Sequence, residues 1–345
     1  MAKGLDIGTM NIISACRDGD DIVFKRQRNV FMQMDSSDLT KNMLKNSKVL
    51  YVEDDQGVAL VGEDAFKFAT IFEKQARRPM KHGIISPGEK EALPIMQLIV
   101  DRVLGESHNT NEILYLSTPA DPIDVDRDVL YHKKTMEALT KRMKYDTHVI
   151  DEGLAVIYSE LADYNFTGLG LSFGAGLTNV TLAYMASPLM SFSIARGGDW
   201  IDEEVAKATG FTKEHITSTK ERITDLNSKV TVASTEGALN IYYDALITYV
   251  IENLKKKLSF ITPPHVAFPV AIAGGTSMPK GFFEMFERKI QSANLGIEIS
   301  KVIHAKDPLL SVARGCLIAA KTQEDGLNIG KAEQKKAPTH TTKKK

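Results

Sequence analysis

The sequence predicts an α/β protein built from two similar domains that face each other across a cleft. Three observations lead to this fold class. Residues 168–185 have the pattern strand, glycine turn, strand, and residues 3–18 repeat that pattern near the start of the chain. The 345 residues are also too many for one simple core and suit two domains. Self-similarity within a chain indicates a duplicated architecture.

The later of the two patterns carries the clearer chemical signal. Alternating apolar residues lead into Gly174 and Gly176 and resume after Thr178. Glycine lets the backbone amides of a turn approach a ligand closely, and successive amides can bind an anion. Strand-forming residues follow the glycines, whereas a dinucleotide-binding motif would continue into a helix. Taken alone, the segment is equally typical of an ordinary hairpin.

The opening pattern shifts that balance towards ligand binding. When the two copies are aligned, Asp6 and Gly8 take the positions of Ser172 and Gly174. Two anion-binding turns about half a chain apart indicate two domains that hold one nucleotide between them.

Composition limits the class of protein further. The hydrophobic fraction of 43% and the charged fraction of 25% are ordinary globular values. A formal net charge of -1 provides no global attraction to nucleic acid. Cys16 and Cys316 have no metal-ligand spacing and are typical of reduced thiols in a cytosolic protein. The chain enters a strand almost at once, so we expect neither a signal peptide nor an amphipathic anchor helix.

Between the two hairpins, hydrophobic periodicity predicts further strands and helices. Residues 22–24 add a strand to the first hairpin, residues 31–48 lack a clean period and predict a variable loop, and residues 77–85 form a basic connector. The other elements predicted there are strands 49–52 and 58–61, helices 62–72 and 89–104, strand 113–117, helix 127–143, strand 147–150 and helix 154–161.

After the second hairpin the alternation continues. Asp199 is predicted to cap a helix after two glycines, and Pro279 to open another, since proline is favoured at a first helical position. From residue 322 to 345 the chain lacks the apolar residues for packing and predicts a disordered basic tail, either a solubilising end or a binding arm. The elements predicted in this half are strand 189–195, helices 199–208, 213–223 and 236–258, strand 266–273, helix 279–293, strand 297–302 and helix 309–320.

Five separated features converge on one family. They are the two hairpins, Asp151 with Glu152 before a helix, Lys220 with Glu221 within a helix, and AIAGGTSMPKGF at residues 271–282. Together they resemble the actin superfamily of nucleotide-binding proteins, and in particular the bacterial actin family of the rod-shape protein MreB and the magnetosome filament protein MamK.

Three further segments support the resemblance. RRPMKHGII at 77–85 is similar to the connector found at the same point in actins. RGGDWID at 196–202 and DPLLSVARGCLIAA at 307–320 are similar to a helix start and to the closing helix of the bacterial family. The resemblance spans residues 3 to about 321, and the order and spacing of its motifs are more specific than any one of them.

The resemblance implies an actin-like fold with two duplicated ribonuclease-H-like domains around an interdomain nucleotide cleft, each with a smaller subdomain. It places domain I at residues 1–155 and 305–321, with a subdomain at about 31–77. Domain II would cover residues 156–304, with a subdomain at about 191–257.

The resemblance also implies roles for individual residues. Glu152 would orient or deprotonate the water that attacks the terminal phosphate, and Asp6 would lie beside Mg²⁺. The nucleotide-binding residues would be Asp6, Gly8, Thr9, Met10, Asn11, Gly174, Ala175, Gly176, Thr178, Lys220, Glu221, Gly274, Gly275, Thr276 and Met278. Considered singly, these residue types also fit a turn acid, a helix cap or a solvated helix face.

One position departs from the family pattern. The second phosphate loop of the family usually begins with Asp, and here that position is Ser172. The polar residue after the threonine is Asn179. A carboxylate that would orient metal-bound water is therefore missing, and such groups commonly lower a barrier by several kcal/mol. Backbone amides and Asp6 would still bind nucleotide, so we expect binding with slow hydrolysis.

These expectations describe a cytoplasmic, cytoskeletal actin-like protein that binds ATP with Mg²⁺ and polymerises into filaments for an unidentified cargo or adaptor. Two alternatives stay open. One is a small-molecule kinase of the same superfamily, although no motif for a second substrate is found. The other is a non-filamentous scaffold similar to FtsA or pilus-assembly proteins. No nucleic-acid partner is expected. Membrane contact through the terminal lysines would be weak, at roughly 1 kcal/mol per charge.

Overall fold

The computed structural model describes residues 2–336 except 38–41, 43, 45–48, 55–56, 73, 108–111, 224, 229–230 and 232–233, and gives only the backbone of residues 54, 70, 223 and 327–336. The strands, in chain order, are β1 (Lys3–Ile7), β2 (Asn11–Asp18), β3 (Asp21–Arg28), β4 (Phe31–Met34), β5 (Tyr51–Asp54), β6 (Gly57–Val61), β7 (Met80–Lys81), β8 (Ile84–Ile85), β9 (Glu112–Thr118), β10 (Tyr145–Asp151), β11 (Gly168–Phe173), β12 (Thr178–Tyr184), β13 (Ser187–Ile194), β14 (Phe268–Ala273) and β15 (Ile299–His304). The helices are α1 (Glu63–Ile71), α2 (Ala92–Leu104), α3 (Leu130–Arg142), α4 (Glu152–Glu160), α5 (Gly198–Thr209), α6 (Lys213–Ile223), α7 (Thr235–Leu258), α8 (Phe282–Ser292) and α9 (Ser311–Lys336).

Two five-stranded sheets have the same topology. The first has the order β10-β9-β1-β2-β3 and the second the order β15-β14-β11-β12-β13. In each, the central strand pairs antiparallel with the next strand of its hairpin and parallel with a later strand. The duplication that the two glycine hairpins indicate therefore extends through both sheets.

The central strands are buried because helices cover both faces of each sheet. Helices α2 and α3 pack with β1 and β9 in one hydrophobic core, and α5, α7 and α8 pack with β11 and β14 in another. On the other face of each sheet, the covering helix is the one that follows the other sheet in sequence. Helix α4, which follows the first sheet, packs on β11 and β12, whereas α9, which follows the second sheet, packs on β1 and β9.

Glycine permits the close packing of these two crossing helices. A Cβ atom on Gly4 of β1 would lie 2.4 Å from the carbonyl oxygen of Ala313 in α9. A Cβ on Gly170 of β11 would lie 2.2 Å from the carbonyl oxygen of Gly153 in α4. Because backbone cannot give way as a side chain does, each position requires glycine. The crossing fixes the relative position of the two sheets below the hairpin turns.

A small sheet with the order β4-β6-β5 stands beside the first large sheet, with α1 packed on it. It includes residues 31–34, which were predicted as loop, and that prediction is wrong for this segment. Phe31 and Met32 are buried, and the segment pairs antiparallel with β6. The pairing partner is distant in sequence, so no local period marks the strand. Residues 38–41 and 45–48 of the predicted loop lie outside the described residues.

The predicted disorder after residue 322 is also wrong for residues 322–336, which continue α9 to Lys336. The Tyr115 hydroxyl donates to Gln323 Oε1 at 2.6 Å, and Gln323 Nε2 lies 3.0 Å from His148 Nε2. Extending an existing helix costs less than starting one, because each added residue gains a hydrogen bond. Polar residues can therefore continue α9. Residues 337–345 lie outside the described residues.

Two helix starts differ from prediction. The residue that caps α5 is Gly197, and Asp199 lies in the first turn, where its side chain pairs with Arg78. Pro279 does not open α8, which begins at Phe282 after Gly281 in the left-handed region with φ of 89°. The domain boundaries themselves stay a prediction. None of the helices in the described ranges combines the length and hydrophobicity of a membrane-spanning segment.

Candidate functional site

A cavity of about 660 Å³ lies between the turn ends of the two large sheets. Gly8 and Gly174, the first glycines of the two turns, both line it. Its volume falls within the roughly 300–1,000 Å³ of small-molecule sites. The two hairpins therefore share one cavity, as the repeated pattern predicts.

The first turn joins β1 to β2. The Gly8 amide donates to the carbonyl oxygen of Asn11 at 2.9 Å and closes the turn. The hydroxyl of Thr9 accepts a hydrogen bond from the Gly83 amide at 3.0 Å, which ties the turn to the basic connector. Within the described residues, the amide of Met10 has no acceptor, and Met10 lines the cavity.

The second turn joins β11 to β12 and repeats this geometry. The Gly174 amide donates to the carbonyl oxygen of Leu177 at 2.9 Å. The carbonyl oxygens of Gly174 and Ala175 accept hydrogen bonds from the first amides of α5, at 3.0 and 2.8 Å. In the described part of the chain, the amides of Ala175 and Gly176 have no acceptor. These carbonyls are satisfied on the protein side, which leaves the amides to face a ligand.

Two partly buried carboxyl groups also line the cavity. The Ser117 hydroxyl donates to Asp6 Oδ1 at 2.8 Å, and the Ser172 hydroxyl donates to Glu152 Oε2 at 3.0 Å. Burial raises the pKa of Asp6 to about 6. Burial and, second, the negative charge of Asp6 raise the pKa of Glu152 to about 8. Both shifts favour the neutral, protonated form of the carboxyl group, which a bound cation would oppose.

This donor set fits a hard divalent cation. Mg²⁺ prefers carboxylate oxygens and usually takes only one or two of them. Asp6 lies at the end of β1, below the first turn, so it would hold the ion beside a ligand on the turn amides. Among the described residues, no cluster of three or more His, Cys, Asp or Glu side chains forms an all-protein metal site.

The loop after β14 also lines the cavity, through Gly275 and Met278. A Cβ on Gly275 would meet only Leu309 Cδ1, at 3.6 Å. Lys220 Nζ donates to the carbonyl oxygen of Gly198 and lies 2.8 Å from Asp202 Oδ1.

The structure brings the predicted site residues together with one exception. Thr178 does not line the cavity: its side chain is buried, and its hydroxyl donates to the carbonyl oxygen of Arg196 at 2.8 Å. The reason is strand register, because Thr178 already pairs with Phe173 in the ladder. Glu152 does not cap α4, since that position is Asp151, and its side chain contacts Ser172 instead. The remaining predicted residues all line the cavity, and their roles stay predictions.

Several lining residues were not predicted from the sequence. Gly83 and Gly198 belong to motifs that the sequence analysis noticed but did not place at the site. A Cβ on Gly176 would lie 2.5 Å from the amide nitrogen of Gly83, which shows how closely the connector approaches the second turn. No sequence motif around Arg28, at the end of β3, marks it as a site residue, because its partners Glu63 and Glu221 are distant in sequence.

Comparisons with known proteins agree with this architecture. The model of the family Volactin matches residues 1–320. No curated protein matches the chain in sequence.

Solved structures match over nearly the whole chain. MamK in its double helical filament gives a TM-score of 0.71 at 18% identity, over 92% of this chain and 98% of that chain. MreB5 of Spiroplasma citri bound to ADP gives 0.66 at 16% identity, over 94% and 98%. The AMPPNP-bound form of that protein gives 0.66 at 17%, over 95% and 98%. At these identities the similarity shows the fold, which is the predicted actin-like α/β fold.

Proposed function

The chain belongs to the Volactin family, an actin-like family, and on that premise we propose that it binds ATP in the cleft between its two large sheets and polymerises into filaments. One observation carries the proposal. Two turns from opposite halves of the chain present amides without protein acceptors to a single cavity. Each bond from such an amide to a phosphate oxygen is charge-assisted and worth about 1.5–3 kcal/mol.

In this proposal the two halves divide the ligand between them. The turn amides of Met10, Ala175 and Gly176 hold the phosphates. Gly275 and Met278 pack against adenosine. A ligand gripped by both turns holds the two sheets at one separation, so the nucleotide state sets the shape of the subunit.

Asp6 would hold Mg²⁺, whose charge neutralises the phosphates when it is bound. Glu152 is the candidate base or orienting group for water. Its raised pKa leaves it largely protonated near neutral pH in the free protein, and a protonated carboxyl accepts no proton. Ser172 supplies a hydroxyl donor where the family usually has a carboxylate. Both features support slow hydrolysis and a long-lived triphosphate state.

Self-association is proposed from relatives of the same fold. MamK forms a double helical filament, and MreB5 of Spiroplasma citri binds ADP and AMPPNP. Cytoplasmic location, and a cargo or adaptor that the filament would serve, are part of the same proposal.

The kinase alternative has less support. It needs a second substrate pocket with an acidic general base. A second cavity of about 250 Å³ lies at the end of the second sheet that is away from its glycine turn, between Tyr164 and Val266. No acidic residue lines it in the described structure.

The test is nucleotide-dependent assembly. Protein at micromolar concentration is incubated with Mg²⁺ and ATP, GTP or ADP, sedimented, and imaged by negative-stain electron microscopy. We expect filaments with ATP and fewer with ADP, because only the triphosphate engages both turns fully. The GTP sample reports the preference for the base.

Gly275→Val is the matched variant. Its Cβ has room beside Leu309, so the fold should survive, but the branched side chain would occupy the space of the adenosine. We expect loss of ATP binding by at least about 100-fold and loss of assembly. Gly88→Val, at an exposed glycine with open space around it, is the control. Unchanged ATP affinity in Gly275→Val would show that adenosine lies elsewhere, and monomers in every nucleotide would remove the filament proposal.

A further inference from the structure

The guanidinium of Arg28 joins three separate parts of the molecule. Arg28 is the last residue of β3, at the edge of the first large sheet. Its Nε lies 3.0 Å from Oε2 of Glu63, in the first turn of α1 on the small sheet. Its Nη2 lies 3.0 Å from Oε2 of Glu221, on α6 of the second half. We call these contacts the Arg28 bridge.

The bridge connects the two halves of the chain at the cavity. Arg28 and Glu221 both line the cavity, whereas Glu63 is not among its lining residues. Glu221 receives two solvent-exposed hydrogen bonds, from Nη1 at 3.4 Å and from Nη2 at 3.0 Å. The ion pair therefore joins a strand of the first half to a helix of the second half where the cavity lining is exposed to solvent.

The guanidinium is held in position before any ligand binds. It lies 4.3 Å from the centre of the Phe66 ring, and Nη1 lies 3.9 Å from the sulfur of Met10 in the first turn. Its side chain is 18% exposed, against 35% for Glu221. An arginine fork that is stacked on an aromatic ring and faces two carboxylates loses little further freedom when it forms its bonds.

We propose that the Arg28 bridge closes the cleft over the bound nucleotide and sets the rate of nucleotide exchange. The inference rests on the proposed nucleotide site and adds a positioning residue to it. Glu221 is half-exposed and pairs in water, where a single ion pair is weak. The ion pair between Arg28 and Glu221 can therefore break without a ligand, and the pre-positioned guanidinium allows it to form again.

The main test compares Arg28→Ala with Lys25→Ala. Lys25 lies three residues earlier on the same strand, is exposed, and is not among the residues that line the cavity. Release of a fluorescent ATP analogue is followed by stopped flow after addition of excess ATP. We expect release to be about tenfold faster in Arg28→Ala, as loss of two ion pairs and a cation–π contact implies, and unchanged in Lys25→Ala.

Ionic strength gives a second readout that a general packing defect would not produce. Salt screens exposed charges, so release from the wild-type protein should accelerate as salt is raised. Release from Arg28→Ala should depend less on salt. Equal rates and equal salt dependence in the two proteins would overturn the proposal.

Glu63→Gln separates the gate from direct ligand contact. Glu63 is outside the cavity lining, so a faster release in this variant comes from a weakened bridge. We expect an intermediate rate, and no additional effect when Glu63→Gln is combined with Arg28→Ala, since both act through one network. Independent, additive effects would contradict a single bridge.

A measurement without nucleotide keeps this inference distinct from the proposed function. Hydrogen exchange of α6 in the ligand-free proteins should be faster in Arg28→Ala than in Lys25→Ala, because α6 loses its ion pair with the first half. If the wild-type protein binds no nucleotide, the proposed function fails while this comparison still reports on the bridge. If nucleotide binds but neither release nor exchange differs, only the Arg28 bridge is wrong.

Discussion

The two glycine hairpins have the same backbone and different chemistry. In both, the first glycine amide bonds to the carbonyl oxygen three residues later at 2.9 Å. In β1, Asp6 pairs with Ile13, and at the matching place in β11, Ser172 pairs with Asn179. The repeated fold keeps the geometry of the turn, while the residue two positions before its first glycine is aspartate in one copy and serine in the other.

The difference leaves the carboxyl group with the first hairpin. Among the described hairpin residues that line the cavity, Asp6 alone carries one. Glu152, at the start of α4, contacts the Ser172 hydroxyl of the second hairpin. The second hairpin contributes amides and this hydroxyl, and Thr276 and the start of α5 bind the carbonyl oxygens of its turn. We infer that both copies bind the phosphates and that the first copy alone supplies a carboxylate for the cation.

The largest expected effect of this division is on Mg²⁺-dependent binding. Asp6→Asn keeps the shape and the bond from Ser117 but removes the charge. We expect about a 100-fold loss of affinity for ATP in Mg²⁺, since a charged contact is worth up to about 3 kcal/mol and each 1.4 kcal/mol is tenfold. Isothermal titration calorimetry with and without Mg²⁺ measures it.

Ser172→Ala at the matching position is the control for that loss. It removes a hydroxyl but no charge, so ATP affinity should change less than about threefold, the loss of one neutral hydrogen bond. If the two substitutions cost the same, the two hairpins contribute equally and the proposed division of labour is wrong.

How far the sequence predicted this site depends on how local each signal is. The glycine turns follow from short motifs, and the structure brings them to one cavity. Thr178 lies in the same motif, yet strand pairing turns its hydroxyl to the Arg196 carbonyl, which no motif indicates. Arg28 could not be predicted, because Glu63 and Glu221 reach it only after the chain has folded. The extension of α9 failed for a related reason, since Gln323 is anchored by tertiary contacts.

An intermediate effect, on the rate of hydrolysis, is expected when the second hairpin is given the aspartate that the family usually has in place of Ser172. Ser172→Asp should raise the rate of phosphate release from Mg-ATP about tenfold, below the roughly 100-fold of a fully effective general base, because the new carboxylate would only orient water. A coupled phosphate-release assay under single-turnover conditions measures the chemical step.

The control for that gain is Ser172→Asn, which has the same size without the charge and should leave the rate unchanged. In the ligand-free protein, Ser172→Asp should also lower stability, because it adds a third carboxylate beside Asp6 and Glu152. A rate that does not rise with Asp would indicate that another group already orients the water.

The smallest expected effect is on the pH dependence of stability, through the carboxyl groups of Asp6 and Glu152. The folded protein holds the protons of Asp6 and Glu152 up to about pH 6 and 8, whereas the unfolded chain releases them near pH 4. Rising pH therefore favours unfolding across this window. Burial lowers the pKa of His132 to about 4, and this group acts in the opposite direction, but only below about pH 6.5.

Urea unfolding of the ligand-free protein between pH 6.5 and 8 isolates the carboxyl pair. We expect the free energy of unfolding to fall by about 2 kcal/mol over this range, the equivalent of slightly more than one pKa unit. Asp6→Asn should flatten the slope, because Glu152 then loses the neighbouring charge that helps to raise its pKa. Bound Mg-ATP should abolish it, since a cation keeps the folded carboxylates ionised, as they are in the unfolded chain over this pH range. A slope that is the same in wild type and Asp6→Asn would mean that the two carboxyl groups do not interact, and the cation could no longer be assigned to their side of the cavity.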